Sequence, residues 1–244
     1  MSRDPNALPV LVAGGGIGGL AAALALTRRG FKVEVLEQAP QLGEIGAGIQ
    51  LGPNAFAAFD ALGVGPQARA RAVYTDEMVM HDAIDETLVG RIPTGEAFRR
   101  RFGNPYAVIH RADVHTSLLE GARASDRIRV HTGTTVQRFE QDDAGVTVHD
   151  SHGDTHRGIA LIGADGVKSA VRRLLVGDEA RVSGQWCTAP SSTRRTFRPT
   201  CNGTRPASGS ARTATWCTTR CAAASSTTSS SPSTAASRKS GACA

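Results

Sequence analysis

"LPVLVAGGGIGGLAAALALTRRGFKVEVLEQ", residues 8–38, decides how this chain folds. Pro9–Ala13 is a short apolar run of the kind that forms a buried parallel strand. Gly14-x-Gly16-x-x-Gly19 follows at once, and Leu20–Leu26 then reads as helix, rich in Ala and Leu. Gly30 stands where that helix should end, at a position whose positive φ costs glycine little. Lys32–Leu36 reads as a second strand, closed by Glu37. Gly14 permits the tight strand-to-helix turn, Gly16 lets a pyrophosphate approach the backbone, and Gly19 lets the helix sit close to the strand. Ile17 lies between these glycines, and Glu37 with Gln38 stands where an acid accepts hydrogen bonds from a ribose. The expectation is an α/β chain that opens with a Rossmann-like βαβ unit and binds a dinucleotide.

Outward from this stretch, the chain has two compositions. From Gln185 to Ala244 there is no Leu, Ile, Val, Met, Tyr, His, Asp or Glu. All 22 acidic residues precede Gln185, with 20 of the 28 Lys and Arg, so residues 1–184 carry −2 and the last 60 carry +8. The overall charge of +6 therefore belongs to the tail. The tail lacks Lys clusters and interleaved aromatics, so no nucleic-acid partner is expected. Cys187, Cys201, Cys217, Cys221 and Cys243 all lie there too, leaving a cysteine-free body that suits a reducing compartment. The Met1 region lacks a basic-then-apolar leader, and no apolar run is long enough to span a bilayer. These features predict a cytoplasmic protein with no membrane partner. Cys217-x-x-x-Cys221 lacks a paired knuckle and has no His or acid beside it, so no metal site is expected.

Three later stretches narrow the cofactor: "GEIGAGIQLGPNAFAAFDALG" (43–63), "YAVIHRADVHTSLLEGA" (106–122) and "IALIGADGVKSAVRR" (159–173). Ile159–Ile162 reads as a strand ending in Gly163-Ala164-Asp165-Gly166, with a helix starting near Lys168. An acid there sits where open α/β sheets put their ligands, although an Asp-Gly pair is also a frequent turn. Arg111 follows the strand Ala107–Ile109 and precedes a helix whose N-cap region contains Asp113. Its guanidinium suits a phosphate or ribose, or pairs with Asp113. His110 and His115 are read as structural. Pro53 opens a helix that ends before Gly63, and Arg127–His131, Gly145–Asp150 and Thr155–Ile162 read as strands.

With these motifs the body resembles the flavoprotein aromatic hydroxylases, single-component monooxygenases that use FAD and NADH. The resemblance covers residues 1–184 and implies an FAD-binding domain, with a strand-rich excursion over about 72–158 that returns to the sheet at Ile159. It implies that Gly14, Gly16, Ile17, Gly19, Glu37, Gln38, Ala47, Gly48, Arg111, Asp165 and Gly166 hold FAD, the Gly46-Ala47-Gly48 loop running along the flavin ring. It further implies a phenolic aromatic acid and O₂ as substrates, 3-hydroxybenzoate becoming gentisate, with salicylate the alternative, and a homodimer when full length. The family's second Gly-Asp motif and its phenol base have no counterpart here, so no catalytic residue is assigned. An NAD(P)-dependent reductase remains the other enzyme reading.

The last 60 residues hold 12 Ser, 12 Thr and 11 Ala, and cannot offset the entropy of ordering themselves. They are expected to be disordered and non-native. Ser, Thr, Ala, Arg, Pro and Cys are also what a GC-rich gene yields in the wrong frame. With codons chosen on the family's pattern, a one-base shift gives a string that alternates apolar and polar residues and regains acids. The expectation is a frameshifted tail on an incomplete fold, with a product that does not hydroxylate.

Overall fold

A computed structural model describes residues 8–43, 48–82, 87–178 and 181, and the backbone of 185–188, 191–193, 207–211, 214–220 and 226–234. In chain order the elements are β1 (Val10–Ala13), α1 (Ile17–Arg28), β2 (Val33–Glu37), β3 (Gly48–Leu51), α2 (Pro53–Leu62), α3 (Gly65–Arg71), β4 (Val73–Tyr74) and β5 (Glu77–Asp82). Then come β6 (Leu88–Pro93), α4 (Glu96–Phe102), β7 (Ala107–His110), α5 (Arg111–Arg123), β8 (Ile128–Thr132), β9 (Val136–Asp142), β10 (Gly145–Asp150), β11 (Thr155–Gly158), β12 (Ala160–Gly163) and α6 (Ala170–Val176). The tail carries β13 (Gln185–Thr188), β14 (Ser191–Thr193), β15 (Ala207–Ala211), β16 (Ala214–Arg220) and β17 (Ser226–Thr234). Among the described residues, no helix is long and apolar enough to cross a membrane.

The chain divides into two compact units, Met1–Ile45 with Ala58–Ala68 and Ala112–Ala180, and Gly46–Ala57 with Arg69–Arg111 and Arg181–Ala244. The first holds a parallel sheet in the order β12-β1-β2-β8. All four residues of β1 are buried, as the apolar run requires of a strand covered on both faces. Val12 meets the helix α1 near Gly19, whereas Leu11 and Ala13 point the other way. There they join Leu36, Val136, Val146, Val148 and Val171, with Phe139 and Leu161 against them. This core lies between the parallel sheet, the antiparallel sheet β11-β10-β9 and α6. Each fully buried Leu or Val contributes about 1.5–3 kcal/mol, so the layer order follows from which face of β1 each side chain takes.

The chain connection out of the antiparallel sheet shows why one expected strand is two. Thr155–Ile162 splits into β11, antiparallel to β10, and β12, parallel to β1. The switch occurs at Ile159, whose N–H donates to Pro9 O at 2.9 Å. A Cβ on Gly158 would lie 2.7 Å from Pro9 O and from Leu11 Cγ, so only glycine fits this crossing. Helix boundaries shift as well. Helix α1 begins at Ile17, before Leu20, and α6 begins at Ala170, after Lys168. Asp113 lies inside the first turn of α5, which Arg111 opens, so it is not an N-cap. At the end of α1, Gly30 has φ +84 and donates to Thr27 O, as its position predicts.

In the second unit, β3-β7-β4 form an antiparallel sheet in which Ala107, Val108 and Ile109 are buried. Phe56 is fully buried there, stacked on Tyr74 and covered by the Arg69 guanidinium. The tail strands form a sheet with β5 and β6, in the order β13-β17-β16-β15-β5-β6, and β14 pairs with β17. Ladder hydrogen bonds are made by the backbone, and a Thr-rich chain meets the conformational preference of a strand.

Candidate cofactor-binding site

The turn from β1 into α1 is built by its glycines. Gly14 adopts φ +102, and its N–H donates to Leu36 O at 2.7 Å, pinning the turn to β2. A Cβ on Gly14 would collide with the Ala164 carbonyl, and one on Gly19 with the Gly14 carbonyl. Gly16 is the N-cap of α1 in extended conformation, and no side chain caps the helix. Ile17 starts the helix, while Gly18 is exposed with open space around it. An α-helix presents several N–H groups at its first turn without intrahelical acceptors, at the positive end of its dipole. Here that end is bare and approachable, which is how a helix receives a phosphate.

Glu37 has a larger structural part than its strand-end position suggests. Its Oε2 accepts from Gly15 N at 2.6 Å and its Oε1 from Ala39 N at 2.8 Å. One carboxylate thus ties the glycine turn to the end of β2. A carboxylate has about four acceptor sites, so acceptor capacity remains for a ribose hydroxyl. Gln38 follows it, exposed.

His115 was read as structural, and it is buried on α5, yet it touches the site directly. Its Nε2 lies 2.9 Å from Gly15 O, 100 positions away in sequence. With Nε2 as donor, His115 fixes the carbonyl of the same peptide segment whose N–H Glu37 holds. The only trace in the sequence was its place on the apolar face of a helix, beside Val114 and Leu118.

The Asp165 turn lies against the first one. Ala164 N donates to Ala13 O at 2.7 Å, and Gly166 takes φ +79. Asp165 Oδ2 accepts from Ala170 N at 2.7 Å and from Val171 N at 3.2 Å, and Oδ1 accepts from Ser169 Oγ. Ser169 in turn caps α6 by accepting from Arg172 N at 2.9 Å. Asp165 therefore organises the start of α6. Within the first unit, Gly14, Gly16, Ile17, Gly19, Glu37, Asp165 and Gly166 gather at the C-terminal ends of β1, β2 and β12. Strand β1 has its crossover partners on either side, which makes this the topological switch point where open α/β sheets bind ligands.

The remaining expected residues belong to the second unit. Gly48 opens β3 opposite His110 of β7, and Arg111 is exposed at the start of α5. Ala47 lies outside the described residues. A cleft of about 580 Å³ bordered by Phe139, Asp143, Ile159, Val171 and Leu175 contains none of the expected residues. The bare helix end is the candidate site, and the cleft lies elsewhere in the first unit.

Comparison with known proteins agrees with this geometry. Residues 7–189 match the family described as FAD binding domain. A 3-hydroxybenzoate 6-hydroxylase of Polaromonas naphthalenivorans (strain CJ2) is 74% identical over 184 residues, 75% of this chain and 46% of the relative. One from Klebsiella oxytoca is 52% identical over 174 residues, 71% of this chain and 44% of the relative. The chain thus spans about half the length of the curated relatives it matches. Among solved structures, Klebsiella pneumoniae HpxO complexed with FAD and uric acid superposes with a TM-score of 0.81 at 24% identity. That match covers 96% of this chain and 58% of the other, and it shows the shared fold.

Proposed function

The chain belongs to the FAD binding domain family, among the FAD-dependent aromatic monooxygenases, and on that premise we propose that it hydroxylates a phenolic aromatic acid with NADH and O₂. The substrate is 3-hydroxybenzoate and the product gentisate, a reading supported by the 74% identity to a protein of that name. The observation that carries the cofactor assignment is the uncapped α1 N-terminus at the switch point, with Glu37 beside it.

Gly14, Gly16, Ile17 and Gly19 would receive the FAD pyrophosphate on backbone N–H groups and the helix dipole. Glu37 and Gln38 would take the adenosine side, Glu37 accepting from a ribose hydroxyl. Ala47 and Gly48 would lie along the flavin, and Arg111, Asp165 and Gly166 would complete its polar surround. Bound FAD would supply the redox chemistry, accepting hydride from NADH and activating O₂. His115 and Glu37 keep the phosphate turn rigid, so the cofactor binds a preformed surface. A phenolate is a better carbon nucleophile than a phenol, so the reaction needs a base at the substrate hydroxyl. No residue of this chain is assigned that role.

We also propose that residues 185–244 are read out of frame, because their composition breaks at Gln185 and the family match ends nearby, at residue 189. On this reading the chain as written binds FAD weakly and does not turn over. Sequencing the gene around codon 184 checks the frame; an early stop in the shifted frame removes the idea. Titrating FAD into the full chain and into the protein decoded in the shifted frame checks the cofactor. Both should quench flavin fluorescence, the second more tightly. NADH oxidation stimulated by 3-hydroxybenzoate over salicylate should appear only in the second. A colourless protein that takes up no flavin overturns the assignment, and NAD(P)H binding without flavin would make it a reductase.

A further inference from the structure

Three strands of the first unit bring Glu34, His131 and His156 together. Cross-strand register places His131 opposite Leu36 and His156 opposite Val148. Leu36 and Val148 both belong to the core between the two sheets. Residues opposite each other share a face, and Glu34, two positions before Leu36, shares it too. All three side chains therefore emerge at the margin of one interlayer space, from β2, β8 and β11. One donor atom from each lies within 4.8 Å of the others, and all three residues are half-buried.

The imidazoles are held for convergence. Their rings sit 5.4 Å apart, edge to face. His131 Nε2 lies 3.4 Å from Glu34 Oε2 yet makes no hydrogen bond and is shielded from solvent. His156 Nε2 lies 3.0 Å from Asp150 Oδ2. Asp150 is buried, and its Oδ1 accepts from His152 N at 2.9 Å and Asp154 N at 3.0 Å. Backbone thus holds the carboxylate, and the carboxylate holds the ring. With Nε2 protonated toward Asp150, His156 keeps its lone pair on Nδ1. Metal-bound histidines almost always donate their second nitrogen to such a group.

We propose that Glu34, His131 and His156 form a site for a divalent transition-metal ion of the zinc class, with Asp150 orienting His156. Zinc takes nitrogen at about 2.0–2.1 Å and carboxylate oxygen at about 2.0–2.2 Å, so two of its donors are at most about 4 Å apart. Small side-chain rotations close the set. Two imidazoles and one carboxylate favour zinc, nickel or copper over magnesium or calcium, which prefer oxygen donors. Three protein ligands leave a position for water or a small anion, so the ion exchanges. None of the three belongs to the cofactor set, and the site stands or falls apart from the flavin.

Tag-free full chain with its five cysteines changed to serine removes thiolate competition, because all five lie in the tail. Zn²⁺ titrated into it by calorimetry should bind once per chain, with millimolar Mg²⁺ failing to compete. His131→Ala and His156→Ala should each weaken binding at least about tenfold, and Asp150→Asn by about 10–100-fold, as second-layer partners do. In the unsubstituted histidine background, ¹H–¹⁵N spectra of the seven imidazoles provide a readout that needs no variant. Zn²⁺ should shift His131 and His156 and leave the others in place. No binding at millimolar Zn²⁺, undiminished affinity in both histidine variants, or shifts at a different pair would overturn the proposal.

Discussion

Two strand-to-helix turns lie against each other in the first unit, and they treat their helices in opposite ways. Where β12 enters α6, Asp165 and Ser169 accept from the N–H groups of Ala170, Val171 and Arg172. Where β1 enters α1, the N-cap is Gly16 and no side chain reaches the helix end. Both are helix N-termini with the same positive dipole. One supplies its own anion and is complete. The other has glycine at its N-cap, in a turn whose backbone admits no Cβ on Gly14 or Gly19. The contrast teaches that two neighbouring helix starts can differ in whether a side chain takes up their N–H groups, and a glycine N-cap leaves those groups open to an outside anion.

The largest expected effect breaks the bare turn itself. Gly19→Ala drives a Cβ into the Gly14 carbonyl, and overpacking typically costs about 1–3 kcal/mol or more. Binding in an FAD titration should vanish and the melting temperature should fall. Gly18→Ala, which meets nothing within 4 Å, should leave stability intact. Equal behaviour of the two variants would show that the turn is not close-packed.

His115→Leu comes next. Removing the donor to Gly15 O leaves a buried carbonyl short of a partner, worth about 1–3 kcal/mol. Denaturant unfolding should register the loss, and FAD titration a weaker affinity of several-fold. An unchanged affinity would mean that the turn does not need this support.

Asp165→Ala separates the two turns most sharply. Loss of a helix cap costs about 0.5–2 kcal/mol, so the midpoint of unfolding should drop, with flavin affinity falling less than tenfold. If affinity collapses at unchanged stability, Asp165 acts on the cofactor rather than on α6.

The smallest effect lies further along α6. The Arg172 hydrogen bond holds the exposed Asp178 carboxyl below its ordinary value despite an opposing desolvation contribution, with the Arg172 charge adding to it. A depressed pKa contributes stability above the unfolded value of about 3.9, and loses it as pH falls through the folded one. Asp178→Asn should leave the melting temperature at pH 7 unchanged within error, since exposed pairs contribute little. A clear drop at pH 7 that disappears in acid would show this pair to be worth more than its exposure suggests.

Much of the first unit was legible because its signals are short-range. The apolar run of β1, the glycine spacing and the positive φ at Gly30 follow from sterics within a few residues of each position. The strand Gly145–Asp150 was read with its observed boundaries. Boundaries failed where a distant element intervened. Ile159 breaks one apparent strand because Pro9 accepts its N–H. Behind the glycine turn Asp165 reads as a cofactor acid, and only the folded start of α6 shows where its oxygens are engaged.

By itself, the sequence determined that this chain begins with a dinucleotide turn and that its composition breaks after residue 184, since glycine spacing and residue counts act locally or as totals. Only the tertiary structure decided that Ala164 packs on Gly14, that His115 grips Gly15 O, and that Glu34, His131 and His156 meet. Each of these joins residues from separate strands or helices. Their proximity depends on sheet order and on which face a side chain takes, and no local pattern encodes either one.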